Sequence, residues 1–348
     1  MRILLVTDTH NELDVINDLI ETEYIDCCIH CGDFGFYDED SLNRLTHREL
    51  QLRIRHSHLP KDVRKQAYDL SHNEAKAILK EHNMLGGFIP FLTGEQRFAK
   101  PVYAVWGNHD DRQVVNKLLD GTYDVPNLHL IDEHNHYTLE EANLRVFGVG
   151  GNFYLEGDKL FAPEKTGAGG KIRASWLQYA RLLEDENQRK RNKKDKTRTM
   201  FVSHVSPGKS ECRILERLCL ALGVNVSVSG HMDPPVCHAY SLFAICENDE
   251  AIGRSQPAFG ELKRRWREER DNTQLDDLQK ALVDRSIARL DVEDFPVPDR
   301  RRRPKKGSME SNYYATQFLN LADTPEGWAI MDIEGDEITL HMRSKWHL

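Results

Sequence analysis

The stretch Pro101–Asp111, PVYAVWGNHDD, passes from a strand pattern into four polar side chains in a row, with one glycine at the junction. Val102, Ala104 and Trp106 alternate with Tyr103 and Val105 in a near-continuous apolar run, which is the pattern of a strand buried on both faces. Gly107 lets the backbone turn sharply there. Asn, His and Asp are poor strand formers and poor core residues, so Asn108, His109 and Asp110 either cap a turn or line a site. This segment alone does not decide between the two.

Four other strand ends carry the same kind of load. Asp8 and His10 follow the strand pattern at 2–7, Asp33 follows 27–31, His204 follows 199–203, and His231 and Asp233 follow 224–229. In open α/β sheets the carboxyl ends of strands are where ligand sites gather. Oxygen and imidazole donors without thiolates suit divalent ions such as Mn²⁺, Fe²⁺, Zn²⁺ or Ni²⁺. Carboxylates from different strands can hold a pair of such ions, with Asp33 as the bridge.

The rest of the chain is consistent with a globular α/β protein. Its 348 residues are 39% hydrophobic, enough for a sizeable core, and the net charge of −9 excludes a generally basic surface. Seven cysteines at irregular spacing do not form a disulfide framework, and the apolar run in MRILLVTDTH is too short for a signal peptide. A reducing cytoplasm is the expected compartment. The CxxC of Cys28 and Cys31 lies in an apolar run with no second pair at zinc-ribbon spacing, which predicts buried small hydrophobes. No stretch approaches the apolar length of a membrane span.

The opening strand, a helix over 12–22 and the strand at 27–31 form a βαβ unit. Further strands are expected at 128–131 and 144–149, helices at 173–186 and 211–222, and a closing strand series in ATQFLNL, GWAIMDI and DEITLHM, the last two joined by a hairpin turn at Glu334-Gly335-Asp336. Residues 44–98 interrupt the alternation with charged, weakly helical sequence and are expected to be an inserted helical cap. Residues 250–311, which include the basic run Arg300–Lys306, are expected to be a second, partly flexible insertion in one domain spanning 1–348.

Taken in order, DTH (Asp8–His10), GDF (Gly32–Phe34), GNHD (Gly107–Asp110), SH (Ser203-His204) and GHMD (Gly230–Asp233) resemble the five motifs of the calcineurin-like metallophosphoesterases. The resemblance implies an α/β (α+β) fold, a four-layer αββα sandwich of two mixed β-sheets with helical insertions. It implies one divalent ion on Asp8, His10, Asp33 and Asp233, and a second on Asp33, Asn108, His204 and His231. Mn²⁺ is the first expectation for both, with Fe²⁺, Zn²⁺, Ni²⁺ or Mg²⁺ as alternatives. His109 would face the substrate as a catalytic residue with Asp110 behind it, and an ion-activated water would attack phosphorus without a covalent enzyme intermediate.

Within this superfamily the opening segment, together with PNLHLID and LRVFGVGG, is partly similar to the RNA lariat debranching enzymes, although those carry Cys where Asp8 stands. The protein phosphatases fit less well, because GDFGFY lacks the Asp-Arg-Gly that follows their second motif. The expected activity is therefore a phosphodiesterase acting on a nucleotide or nucleic acid. The alternatives are a phosphomonoesterase or protein phosphatase, or a binding module that keeps the fold without turnover.

Asp233 stands where the family has a second histidine. A carboxylate there adds negative charge to the centre, which favours a singly charged diester over a doubly charged monoester and oxygen-preferring Mn²⁺ or Mg²⁺ over Zn²⁺. Replacing it, Asp233→His, should raise p-nitrophenyl phosphate turnover relative to bis(p-nitrophenyl) phosphate and move metal preference toward Zn²⁺. Unchanged ratios in an active variant would remove Asp233 from the ligand set.

Overall fold

Along β1 (Arg2–Val6), Ile3 and Leu5 enter one hydrophobic cluster and Leu4 and Val6 another, and all four are fully buried. A strand covered on both faces sits inside a layered fold. In the computed structural model, which describes all residues except 58, 157–158, 163–171, 193–194, 210–211, 232–236, 242–249, 251–252, 292–315, 325 and 345–348, β1 is central to a six-stranded sheet. It runs parallel to β2 (Cys27–Cys31), followed outward by β3 (Val102–Val105) and β4 (Leu128–Leu130). On its other side β11 (Gly327–Glu334) pairs antiparallel, and β12 (Glu337–Ser344) closes the edge through a hairpin at Gly335, whose φ is +56°.

The second sheet also has six strands. It contains β5 (Tyr137–Leu139), β6 (Leu144–Val149), β7 (Arg198–Ser203), β8 (Val226–Ser229), β9 (His238–Tyr240) and β10 (Gln317–Asn320), in the order β5-β6-β7-β8-β10-β9. Between the sheets, Ile3, Leu5 and Ile29 of the first pack with Val146, Met200 and Val228 of the second in one buried cluster. On the outer face of the first sheet lie α1 (Asp14–Thr22) and α7 (Arg112–Leu119). The second sheet is covered by α8 (Trp176–Lys190), α9 (Arg213–Leu222), α10 (Gln256–Glu269) and α11 (Asp277–Arg289). Helix, sheet, sheet, helix is the expected four-layer sandwich.

Residues following β2 form α2 (Ser41–Arg44), α3 (His47–Arg55), α4 (Lys61–Gln66) and α5 (His72–Glu81), which share a small core of Tyr37, Leu45, Leu50, Ile54, Ala75 and Leu79. Ser71 and Glu74 close a capping box at the start of α5, a local reason for the helix to begin there. The next helix, α6 (Ile89–Thr93), already belongs to the main core through Phe91, which stacks on Phe88 and Phe98 to either side of the helix. In the C-terminal half, α10 buries Phe259, Leu262 and Trp266 beside α9, α11 packs Val283 beside α8, and Trp176 Nε1 donates to Ser286 Oγ at 3.0 Å. The basic run Arg300–Lys306 lies outside the described residues.

Two short edge strands, β5 and β9, and the helix α7 are additions to the sequence reading. The edge strands have three residues each, too few to show a period-2 pattern. Cys28 and Cys31 are fully buried and free, as the apolar run predicts. Among the described residues no helix is long and apolar enough to cross a membrane. Leu5→Ala removes a side chain from between the sheets and should cost about 2–5 kcal/mol in chemical denaturation. Tyr24→Ala, at a side chain 87% exposed, should change stability by less than about 0.5 kcal/mol; equal losses would contradict this layering.

Candidate metal centre

Parallel pairing brings the carboxyl ends of β1, β2 and β3 side by side in one sheet and those of β7 and β8 in the other. Beyond these ends the backbone turns through left-handed conformations at Asp8 (φ 51°), His10 (φ 49°), Asp33 (φ 50°) and His231 (φ 54°). Left-handed backbone costs a non-glycine residue roughly 1–2 kcal/mol, and it clusters where side chains are aimed for function. Two glycines permit the closest approaches. A Cβ on Gly107 would lie 2.0 Å from Asp33 Oδ1, and one on Gly230 would lie 2.0 Å from Thr7 Oγ1 and 2.6 Å from Asp8 Oδ2.

These turns bring Asp8, Asp33, His204 and His231 together, one ligand atom from each lying within 4.8 Å of all the others. His204 is fully buried, and its Nδ1 donates to the Cys31 carbonyl at 3.0 Å, which turns the Nε2 lone pair into the cluster. That Nε2 stands 2.9 Å from Asn108 Oδ1 and 3.5 Å from Asp33 Oδ2. Asp33 Oδ2 is itself buried without a hydrogen-bond partner. Carboxylate, amide and imidazole atoms therefore converge on one point, where the metal-free chain holds only the shared proton of His204. A divalent cation fits this donor set of carboxylate, amide oxygen and imidazole.

The remaining predicted residues take distinct places. His10 is at the margin, with Nε2 3.8 Å from Asp8 Oδ1 and Nδ1 accepting from Arg53 Nη1 at 3.0 Å. Asp110 is fully buried and accepts backbone N–H groups from Gly107, Phe34, Gly35 and Phe36, so it ties the GNHD turn to the GDF turn. The His109 backbone N–H donates to Asp33 Oδ1 at 2.8 Å, and its ring Nε2 lies 4.0 Å from Asp33 Oδ2. Asp233 lies outside the described residues.

Glu49 and Arg53 reach the centre from α3 and were not anticipated by the sequence reading. Thr46 Oγ1 accepts the Glu49 N–H at 3.2 Å as an N-cap, and in a capping box Glu49 would reach back to Thr46. Its carboxylate instead turns inward and receives His109 Nδ1 at 2.8 and 2.9 Å. One turn later Arg53 Nε stands 3.2 Å from Glu49 Oε1. The pair is buried, and its signal in the sequence is an acid and a base at i, i+4 beside Leu50 and Ile54.

Charge in the cluster is strongly perturbed. Burial raises the Asp8 carboxyl to about 7. Burial opposes charge on His204, but the Asp33 and Asp8 carboxylates outweigh it and raise the imidazole to about 9. Burial also opposes ionisation of Asp33, yet His204 and His109 hold it well below the usual carboxylate range. His231 is pushed down to about 3, first by burial and then by His204.

The sequence model of the calcineurin-like phosphoesterases matches residues 1–235. The chain belongs to this family, whose members are metal-dependent phosphoester hydrolases. The matched span includes all five motifs and ends before α10, α11 and β9–β12. No curated protein sequence matches the chain. Among solved structures, one crystal structure is 12% identical, covering 99% of this chain and 99% of its own, with a TM-score of 0.49. A purple acid phosphatase from yellow lupin (Lupinus luteus) seeds is 10% identical, with a TM-score of 0.40. The alignment covers 100% of this chain and 52% of that one.

The raised groups set a pH dependence. Asp8 keeps a proton in the folded chain up to about 7 that the unfolded chain loses in the ordinary carboxylate range, so the metal-free fold loses stability over that window as pH rises. His204 contributes stability below its ordinary value that is lost as pH rises through about 9. A cation replaces both protons, so thermal stabilisation by saturating Mn²⁺ should grow from about pH 5 to about pH 8. Asp8→Asn should flatten that slope, and a pH-independent stabilisation of the wild type would contradict this account.

Proposed function

We propose that the chain is a phosphodiesterase with a dinuclear centre, acting on a nucleotide or nucleic acid. The observation that carries the reading is the buried, unpartnered Asp33 Oδ2, faced by His204 on one side and His109 on the other. Asp33 would bridge the two ions, one held also by Asp8, His10 and Asp233 and the other by Asn108, His204 and His231. When bound, the ions supply Lewis acidity toward the phosphoryl oxygens and a water of lowered pKa.

The chain's own groups supply the rest. His109 is positioned through Nδ1 by Glu49, which leaves Nε2 as the face that can donate a proton to the leaving oxygen. Burial works against the imidazolium, but Asp33 and Glu49 raise His109 overall, so it holds that proton more tightly than a free histidine. Tyr37 Oη donates to the His109 carbonyl at 2.7 Å, and Asp110 fixes the preceding turn through Gly107, so the ring rests on a rigid base. The diester preference rests on the negative charge that Asp233 would add to the first ion site.

Metal analysis alongside Mn²⁺-supported hydrolysis tests the reading on a panel of a monoester, a diester, cyclic nucleotides, branched RNA and single-stranded DNA. Asp33→Ala should abolish turnover and lower metal stoichiometry, because it removes a ligand from both ions. His109→Asn should lower kcat by about 10²- to 10⁴-fold while metal content stays near that of the wild type. Turnover undiminished in the first variant, or metal lost from the second, would overturn these roles.

A further inference from the structure

Beside the metal centre the chain encloses a cleft of ≈ 440 Å³, within the range of sites that take an organic ligand. His10 and Arg53 form its inner wall, and His56, Leu59, His82 and Met84 form its outer one. The outer residues follow the C-terminal ends of α3 and α5, where Asn83 (φ 48°) turns the chain back. The floor is fixed by Asn11, whose Oδ1 accepts the Gly87 N–H at 2.6 Å and whose Nδ2 donates to the Gly35 carbonyl at 2.8 Å. The cleft is thus built where the inserted helices meet the metal-binding turns, and His10 and Arg53 stand at the boundary between the two.

Arg53 is 7% exposed, with Nη1 on His10 Nδ1 and Nε beside Glu49. A guanidinium so placed sits next to any phosphate drawn to the Asp33 cluster. Further out the wall changes character to imidazole rings, a thioether and an isobutyl group, with Glu12 the one carboxylate among the described residues lining it. Flat rings and polarisable sulfur suit an uncharged heteroaromatic group better than a second anion or an alkyl chain.

We propose that this cleft seats one ester arm of the substrate, an uncharged heteroaromatic group of nucleoside size, with Arg53 at the junction between that arm and the phosphate. The inference rests on the phosphoesterase reading of the neighbouring centre and adds the feature that selects the substrate. The residues that select are contributed by the insertion, and those that hold metal by the strand ends.

The test is calorimetric binding of thymidine 5′-monophosphate and of inorganic phosphate to the Mn²⁺-loaded full-length protein. The wild type should bind the nucleotide at least about tenfold more tightly than phosphate. Met84→Trp fills the outer cleft and should remove that advantage while leaving phosphate affinity within about twofold; Leu59→Trp, at a second lining residue, should do the same. Thermal unfolding of both variants separates blocked binding from a damaged fold. Equal affinities in the wild type, or equal losses for both probes in two folded variants, would overturn the cleft assignment. Hydrolysis of bis(p-nitrophenyl) phosphate is followed in parallel. If it is absent while the nucleotide advantage persists, the hydrolase reading falls and the cleft stands; if it is present without that advantage, the cleft falls alone.

Discussion

Asp33 Oδ1 accepts the backbone N–H of His109 at 2.8 Å, across a gap that only a glycine at 107 leaves open. This contact joins the ends of β2 and β3 and orients the carboxylate. With Oδ1 occupied by the backbone, Oδ2 is left facing His204 without a partner. An unsatisfied buried carboxylate oxygen costs a few kcal/mol, and folding alone gives no return for it. A cation held by the cluster of Asp8, Asp33, His204 and His231 would supply that return. The strained turns at Asp8, Asp33 and His231 belong to the same trade of stability for a prepared site.

The two sheets are needed for that convergence. Asp8, Asp33 and Asn108 follow strands of one sheet, and His204 and His231 follow strands of the other. Their meeting depends on the inter-sheet core of Ile3, Leu5, Val146 and Met200, which sets the separation of the layers. It also depends on sequence beyond the family match, since β11 pairs with β1 and β10 pairs with β8. The chain after residue 235 therefore completes both sheets that present the site.

The parts legible in the sequence are those governed by local pattern. The near-continuous apolar runs of β1, β2, β3 and β7 mark doubly covered strands, and the polar residues after them mark one edge. What stayed hidden is what tertiary context decides. Glu49 looks like the third residue of a capping box, and only the packing of Leu50 and Ile54 into the cap core turns its carboxylate to His109 instead. Arg53 looks like one of several exposed bases in LRIRH, yet it is buried while Arg55, two residues on, is exposed, because a helix sends residues two apart to different faces. His10 lies within a motif, but its hydrogen bond from Arg53 depends on a helix more than 30 residues away in sequence.

That helix changes what an insertion means in this fold. A cap that merely overhung the strand ends would alter access and leave the chemistry alone. Here α3 puts a buried acid against the ring of His109 and a buried base against the ring of His10, two imidazoles whose centroids are 5.9 Å apart. Glu49 and Arg53 also compensate each other, which keeps two charges tolerable in a place where either alone would be costly. Removing one would strand the other, so the pair behaves as a unit. The position of the cap is thereby coupled to the orientation of both rings through the same four side chains.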